Sequence, residues 1–94
     1  MEIKKGTPIL ISTTKDWIVG ANRFLSGRTP NYEADAFLVS GSFESFGSEG
    51  LWFKFTREDE RKSSVTLLVQ WHQLLTVVLS DDLETQESFK QYGY

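Results

Sequence analysis

Cysteine is absent from the 94 residues of this chain, and histidine occurs once, at His72. The first absence excludes disulfide bonds, thiolate zinc sites and a cysteine nucleophile, and it fits a reducing compartment. A single histidine without cysteine gives no transition-metal ligand set. No apolar run approaches the ~20 residues of a membrane-spanning helix, and no basic-then-apolar signal segment opens the chain. We therefore expect a cytoplasmic protein with no cofactor, no metal and no membrane partner.

An excess of positive charge is also missing. The chain has 10 lysine and arginine residues against 13 aspartate and glutamate residues, a net charge of −3. Proteins that bind duplex nucleic acid through many phosphate contacts usually show a basic excess or stripe, so duplex DNA is not an expected partner. The acidic runs Glu58–Glu60 and Asp81–Asp82 lack the alternating ligands of a calcium loop, and we interpret them as solvated charge.

Sequence patterns of catalysis are not found. The spacing Gly41, Gly47 and Gly50 matches neither a phosphate-binding loop nor a dinucleotide fingerprint. No nucleophile-elbow pattern surrounds any serine, and His72 has no obvious nucleophile at a suitable spacing. We predict that the protein is not an enzyme and has no catalytic residues; a small hydrolase remains the alternative from this class.

The clearest positive signal is Val65–Leu79, where two apolar runs flank the polar hinge Gln70–Gln73. The first run alternates on one face, with Val65, Leu67, Val69 and Trp71. The second is predicted to place Leu75, Val77 and Leu79 on one face and Leu74 and Val78 on the other. Alternation with period two and β-branched residues favours strands. The short hinge predicts a sharp bend within one sheet.

Turn signals divide the rest of the chain into short strands. We predict them at Thr7–Ser12, Trp17–Leu25, Ala36–Phe43, Leu51–Phe55 with a partner beginning at Ser64, and Leu74–Ser80. Gly20 inside the second strand predicts a bend or bulge. The polar run 56–63 is predicted to be a solvated hairpin loop, a single helical turn being the alternative. In the tail, Asp81 or Asp82 is a candidate cap for a short helix, a disordered extension being the alternative.

Short strands at regular spacing are typical of all-β sandwiches and small barrels. We predict an all-β fold: a small, strongly bent five-stranded barrel, Sm-like or SH3-like, with a short C-terminal tail or helix. The barrel is expected to take up about residues 7–80 and the tail residues 81–94 of a single domain, 1–94.

The order of three segments along the chain is informative about the fold. Leu10–Phe24 is read as a strand, a polar turn and a strand with an internal glycine, and Asn31–Val39 as a loop followed by an apolar strand. Leu67–Val78 is read as a strand, a short polar hinge and a closing strand. This order, over roughly residues 8–80, resembles that of the Sm-like family of small β-barrels.

The resemblance implies a ring-like homo-oligomer in which strand four of one subunit pairs with strand five of the next. The implied edge residues are Leu74, Thr76 and Val78. An apolar edge strand favours such pairing, because an uncovered edge promotes aggregation, and a repeated heterologous contact can close a ring. The alternative is a monomer whose tail covers the edge.

The resemblance also implies a pocket for single-stranded RNA. The family's asparagine after the second loop corresponds to Asp35 here, and its arginine-glycine pair corresponds to Gln70-Trp71. Asp35 would repel phosphate, and the loss of the arginine removes a guanidinium that can stack and donate several hydrogen bonds. Tyr32 and Trp71 can still stack on bases. The candidate ligand or RNA-binding residues are Asn31, Tyr32, Asp35, Gln70, Trp71 and His72. A core role for Trp71 and a plain turn role for His72 are the alternatives.

These observations predict a non-catalytic binding or assembly module of Sm-like type, acting as a homo-oligomer. The first alternative is a single-stranded RNA-binding protein. A second is a structural subunit of a larger assembly that acts only through its strand edges. Fold alone does not decide among them.

Overall fold

The computed structural model describes residues 2–22, 24–25, 37–56 and 63–92. Its strands form one antiparallel sheet in the order β4-β3-β2-β1-β5. In chain order the elements are β1 (Pro8–Thr13), α1 (Lys15–Ala21), β2 (Phe37–Phe46), β3 (Gly50–Thr56), β4 (Ser64–Gln70), β5 (Leu74–Val78), α2 (Leu83–Ser88) and a 3-10 helix (Phe89–Gln91).

The sheet is strongly bent, because its two outermost strands follow each other in the chain. Only three residues separate Gln70 at the end of β4 from Leu74 at the start of β5. Four peptide steps span at most about 14 Å, whereas four strand spacings in a flat sheet cover about 19 Å. The corner between β4 and β5 therefore requires the sheet to curl.

The predicted β architecture is confirmed in its coarse form. The sheet has five antiparallel strands, and four of the predicted strand regions match β1, β2, β3 with β4, and β5. The described strands form an open sheet in which no ladder joins β4 to β5, so closure of a barrel is not observed. The predicted hairpin loop lies largely outside the described residues.

The prediction of a strand over Trp17–Leu25 is wrong. Lys15–Ala21 forms helix α1, which follows Thr14 at its N-cap position. Its buried residues are Trp17, Ile18 and Ala21, and the i, i+1, i+4 spacing places them on one helical face. Gly20 is exposed on the other side of the helix and marks no bulge. The fold is thus mostly β with two short helices rather than all-β.

The main core lies on the concave face of the sheet and is closed by α1. In β3 the expected alternation is confirmed, since Leu51, Phe53 and Phe55 are buried whereas Trp52 is half-buried. The core cluster consists of Ile9, Ile11, Trp17, Ile18, Ala21, Leu25, Val39, Phe43, Leu51, Phe53, Phe55 and Val69. Helix α1 contributes directly through Trp17, whose ring centroid lies 5.9 Å from that of Phe53.

The C-terminal segment packs on the other face of the sheet. The 3-10 helix contacts β1 and β2 and buries Phe89. Helix α2 begins after Asp82, whose carboxylate accepts hydrogen bonds from the Thr85 backbone N–H at 3.1 Å and the Thr85 hydroxyl at 2.7 Å. These bonds lower the pKa of Asp82 from its ordinary 3.8 and confirm the predicted cap.

Candidate functional site

The corner that joins β4 to β5, Gln70–Gln73 with its neighbours, is the first candidate site. Three backbone hydrogen bonds hold this corner, one within the turn and two to other parts of the chain. The Gln73 N–H donates to Gln70 O at 2.8 Å, and the Trp71 N–H donates to Glu49 O at 3.3 Å. The Gln73 carbonyl accepts from the Thr14 N–H at 2.9 Å. The side chains of this corner are therefore presented from a fixed backbone.

Two aromatic rings lie exposed at this corner. Trp71 is 46% exposed and Phe46 is 47% exposed, and their ring centroids are 5.7 Å apart at an interplanar angle of 32°. Phe46 also packs on the buried Phe43, with centroids 4.9 Å apart. The Trp71 indole N–H donates to Gly47 O at 3.2 Å. Trp71 thus does not join the core, so the core interpretation of this residue is wrong.

One carboxylate lies at the same corner as the aromatic pair. Asp16, in the first turn of α1, accepts a hydrogen bond from the Gln73 side-chain amide at 3.1 Å. The dipole of the neighbouring Thr14 hydroxyl and the hydrogen bond from the Gln73 amide hold the pKa of Asp16 below its ordinary 3.8. Only the Gln73 contact has hydrogen-bond geometry, because Thr14 Oγ1 is buried without a hydrogen-bond partner among the described residues. Asp16 is therefore charged at neutral pH.

The sequence-predicted ligand residues fall into two groups. Gln70, Trp71 and His72 are exposed together at the corner. Asn31, Tyr32 and Asp35 lie outside the described residues. Sequence reasoning missed Phe46, Glu49 and Asp16. The turn between β2 and β3 brings Phe46 and Glu49 to the corner, and Asp16 lies there because its segment forms α1 instead of the predicted strand. The one local signal was the aromatic residue directly before Gly47.

The outer edge of β5 is the second candidate site. In the described sheet β5 pairs with β1 alone, and a register shift opposite Ser12 and Thr13 places Leu75 in a bulge. The bulge changes the predicted alternation. Leu74, Val77 and Leu79 are partly buried against the core, whereas Leu75, Thr76 and Val78 are exposed. Of the predicted edge residues, Thr76 and Val78 are accessible and Leu74 points inward.

The edge of β4 differs from that of β5. The Trp17 indole N–H, from α1, donates to the Leu68 carbonyl at 2.9 Å. A side chain of the same molecule thus occupies one backbone acceptor of β4. Of the two outermost strands, β5 is the one whose backbone makes no such bond among the described residues.

A groove of about 460 Å³ lies between the outer face of the sheet and α2. Leu83 and Phe89 form part of its apolar wall, and Lys54 lies at its rim. Lys54 Nζ is 3.6 Å from Glu44 Oε1, and the same carboxylate binds Lys5 through Oε2 at 3.3 Å. Positive and negative groups balance here, so the charge of the groove does not indicate a ligand class.

Metal-ligating side chains do not converge in groups of three anywhere in the part of the chain that the structure describes. His72 is exposed on the corner turn. Within the described ranges, no helix is both long and apolar enough to span a membrane.

Comparison with known proteins gave no similarity: no protein-family model, no curated protein and no solved structure matches this chain.

Proposed function

We propose that this protein is a non-catalytic binding and assembly module, and that β5 pairs with a strand of a second copy of the chain. The observation that carries the proposal is the outer edge of β5, which has no strand neighbour in the described sheet. This edge carries two exposed apolar side chains, Leu75 at 56% and Val78 at 37%. An uncovered edge of this kind is a ready template for strand addition.

β5 is favoured over β4 as the pairing strand, because one backbone carbonyl of β4 is already hydrogen-bonded within the molecule. The resemblance to the Sm-like family implies that strand four of one subunit pairs with strand five of the next. Here that arrangement would compete with the Trp17 indole for the Leu68 carbonyl. Losing this hydrogen bond would cost about 1 kcal/mol of stability, and pairing of β5 with β5 avoids that loss.

A two-fold pair of β5 strands also covers the exposed side chains. Antiparallel pairing about a point between Thr76 and Val77 would place Leu75 of one copy opposite Val78 of the other. A contact of this type is self-complementary, and it ends with two copies. Pairing of β5 with β4 would instead repeat around a ring of more copies.

Molar mass in solution tests this proposal. We expect light scattering after size exclusion to give two copies, and we expect the double variant Leu75→Lys with Val78→Lys to give one. Leu83→Lys is the matched control, because Leu83 is a strongly exposed leucine on α2 and its replacement should leave the mass unchanged. A wild-type monomer at high concentration would refute assembly, and a larger ring would refute pairing of β5 with itself.

Single-stranded RNA binding is the second candidate function. It is favoured by the exposed Phe46–Trp71 pair, since unpaired bases stack on such rings. Binding of eight-nucleotide U-rich or A-rich strands should weaken as salt rises, and Trp71→Ala or Tyr32→Ala should weaken it further. If neither oligonucleotide binds at low salt, RNA recognition is ruled out.

A further inference from the structure

We infer that the corner between β4 and β5 binds a positively charged side chain, an arginine or lysine of a basic peptide segment. Its central residue is Trp71, with the ring of Phe46 beside it. Glu49 is joined to Trp71 through a backbone hydrogen bond, and Asp16 is joined to the same turn through Gln73. The inference concerns a different surface from the β5 edge and does not depend on self-assembly.

The polar atom of Trp71 is already used inside the protein. Its indole N–H donates to Gly47 O, and indole has no other hydrogen-bonding group. What the residue offers to a ligand is therefore the face of its ring. The π face of tryptophan carries negative potential and attracts guanidinium and ammonium groups within about 6 Å of the ring centre.

The surroundings of the ring add negative charge. Glu49 lies opposite Trp71 at the end of the β3–β4 ladder, since its backbone carbonyl accepts from the Trp71 N–H. Asp16 is tied to the same turn through Gln73. Residues 46–50 and 70–73 contain no lysine or arginine, and in α1 Lys15 directly precedes Asp16. The corner thus combines an exposed aromatic face with two acidic residues, a combination that complements a cation.

The same charges disfavour RNA at this surface. A base stacked on Trp71 would bring its phosphates to a corner that carries two acidic residues, Glu49 and Asp16, and like charges repel. Arginine, in contrast, combines a planar group that stacks on aromatic rings with a charge that pairs with carboxylates. We therefore favour a basic peptide as the occupant, and we treat RNA as an outcome of the test.

The probes are an eight-residue peptide of alternating arginine and glycine, its counterpart with glutamate for arginine, and an eight-nucleotide U strand. The readout is the indole N–H signals of the three tryptophans in ¹⁵N-correlated NMR spectra. We expect the arginine peptide to shift the Trp71 signal in a saturable and salt-sensitive manner. The Trp17 signal is the internal reference, because its N–H is bonded to Leu68 O and the residue is buried. We expect no shift with the glutamate peptide.

Variants separate the ring from the charge. Glu49→Gln should weaken binding of the arginine peptide roughly two- to five-fold. Glu84→Gln removes the same charge on α2, beyond the far end of β5 from the corner, and should change it by less than about 1.5-fold. Trp71→Ala removes the indole signal itself, so its binding is followed by the fluorescence anisotropy of a labelled arginine peptide. It should weaken binding by about two- to five-fold, with the Trp17 signal reporting that the variant is folded.

Three results would overturn the inference. The first is a Trp71 signal that does not move with the arginine peptide. The second is a U strand that binds at least as tightly as the peptide, which would place RNA at the corner instead. The third is an equal effect of Glu49→Gln and Glu84→Gln, which would show only general attraction to an acidic protein. Performing the titration as well on the variant Leu75→Ser with Val78→Ser, which adds no charge beside the corner, distinguishes failure at the corner from failure of assembly.

Discussion

Replacing Gly20 with alanine should stabilise this protein, whereas the same replacement at Gly50 should destabilise it strongly. Both changes add one methyl group, but they add it to very different surroundings. Gly20 lies on the exposed side of α1. Gly50 is buried at the start of β3, directly opposite Gln70 of β4. The pair therefore tests the helix and the strand ladder at once.

The expected magnitudes follow from the space around each Cα. A Cβ built at Gly20 has no neighbour within 4 Å, so the change gains the helix preference of alanine, about 0.5–1 kcal/mol. A Cβ at Gly50 overlaps the Val69 carbonyl oxygen and lies 2.8 Å from the Gln70 Cα. Both are backbone atoms, and relief requires β3 and β4 to separate. Overpacking together with a lost ladder bond should cost at least about 3 kcal/mol.

Urea unfolding followed by tryptophan fluorescence gives the free energy of unfolding of each variant. For a domain of this size about 1 kcal/mol corresponds to a change of roughly 4–8 °C in Tm, so thermal melts provide an independent check. If Gly20→Ala lowers the stability, the residue is in a strand bulge rather than in a helix, and α1 is wrong. If Gly50→Ala unfolds at the wild-type midpoint, the register between β3 and β4 is wrong.

Three further predictions use the same unfolding measurements. Gly41→Ala should cost about 1–3 kcal/mol, because its Cβ would lie 2.6 Å from a backbone oxygen of β3; no loss would contradict the close approach of β2 and β3. Trp17→Phe should cost about 1–3 kcal/mol through the unpaired Leu68 carbonyl, and an unchanged midpoint would show that this bond does not matter. The pKa values of Asp16 and Asp82 are lowered by folding, so their stabilising effect is present above the ordinary value of 3.8 and is lost as pH falls through the lower folded values. The midpoint should therefore drop between pH 5 and pH 2, and less so in the double variant Asp16→Asn with Asp82→Asn; an equal drop would exclude these carboxylates as the cause.

The sequence predicted strands well where a single face is buried. In β3 and β4 the alternating residues face the concave core, so a period of two is visible without any structure. In β5 the bulge at Leu75 interrupts this period, and the predicted faces of Leu74 and Leu75 were exchanged. A bulge depends on the partner strand, β1, and therefore leaves little signal in the local sequence.

The helix was missed for a related reason. Trp17, Ile18 and Ala21 are spaced for one face of a helix, but α1 has only seven residues, and so short a segment shows fewer than two full repeats. Its tryptophan and valine also favour strands by intrinsic propensity. Packing against Phe53, far away in the sequence, decides the outcome.

The candidate site was predicted in part. The polar hinge with an aromatic residue was visible as a run of four residues, Gln70–Gln73. Its carboxylates and its second ring were not, because Asp16, Phe46 and Glu49 come from three other parts of the chain. Only the tertiary fold shows that these groups share one corner.

The strand order has a consequence for biosynthesis. Of the five described strands β1 is made first, yet β5, one of its two neighbours in the sheet, is made last. Until then the segment Ile9–Ile11 has an open flank that can recruit neighbouring nascent chains. Truncated products that stop at the corner before Leu74 should therefore aggregate rather than fold, because they lack β5, the strand that covers the open flank of β1.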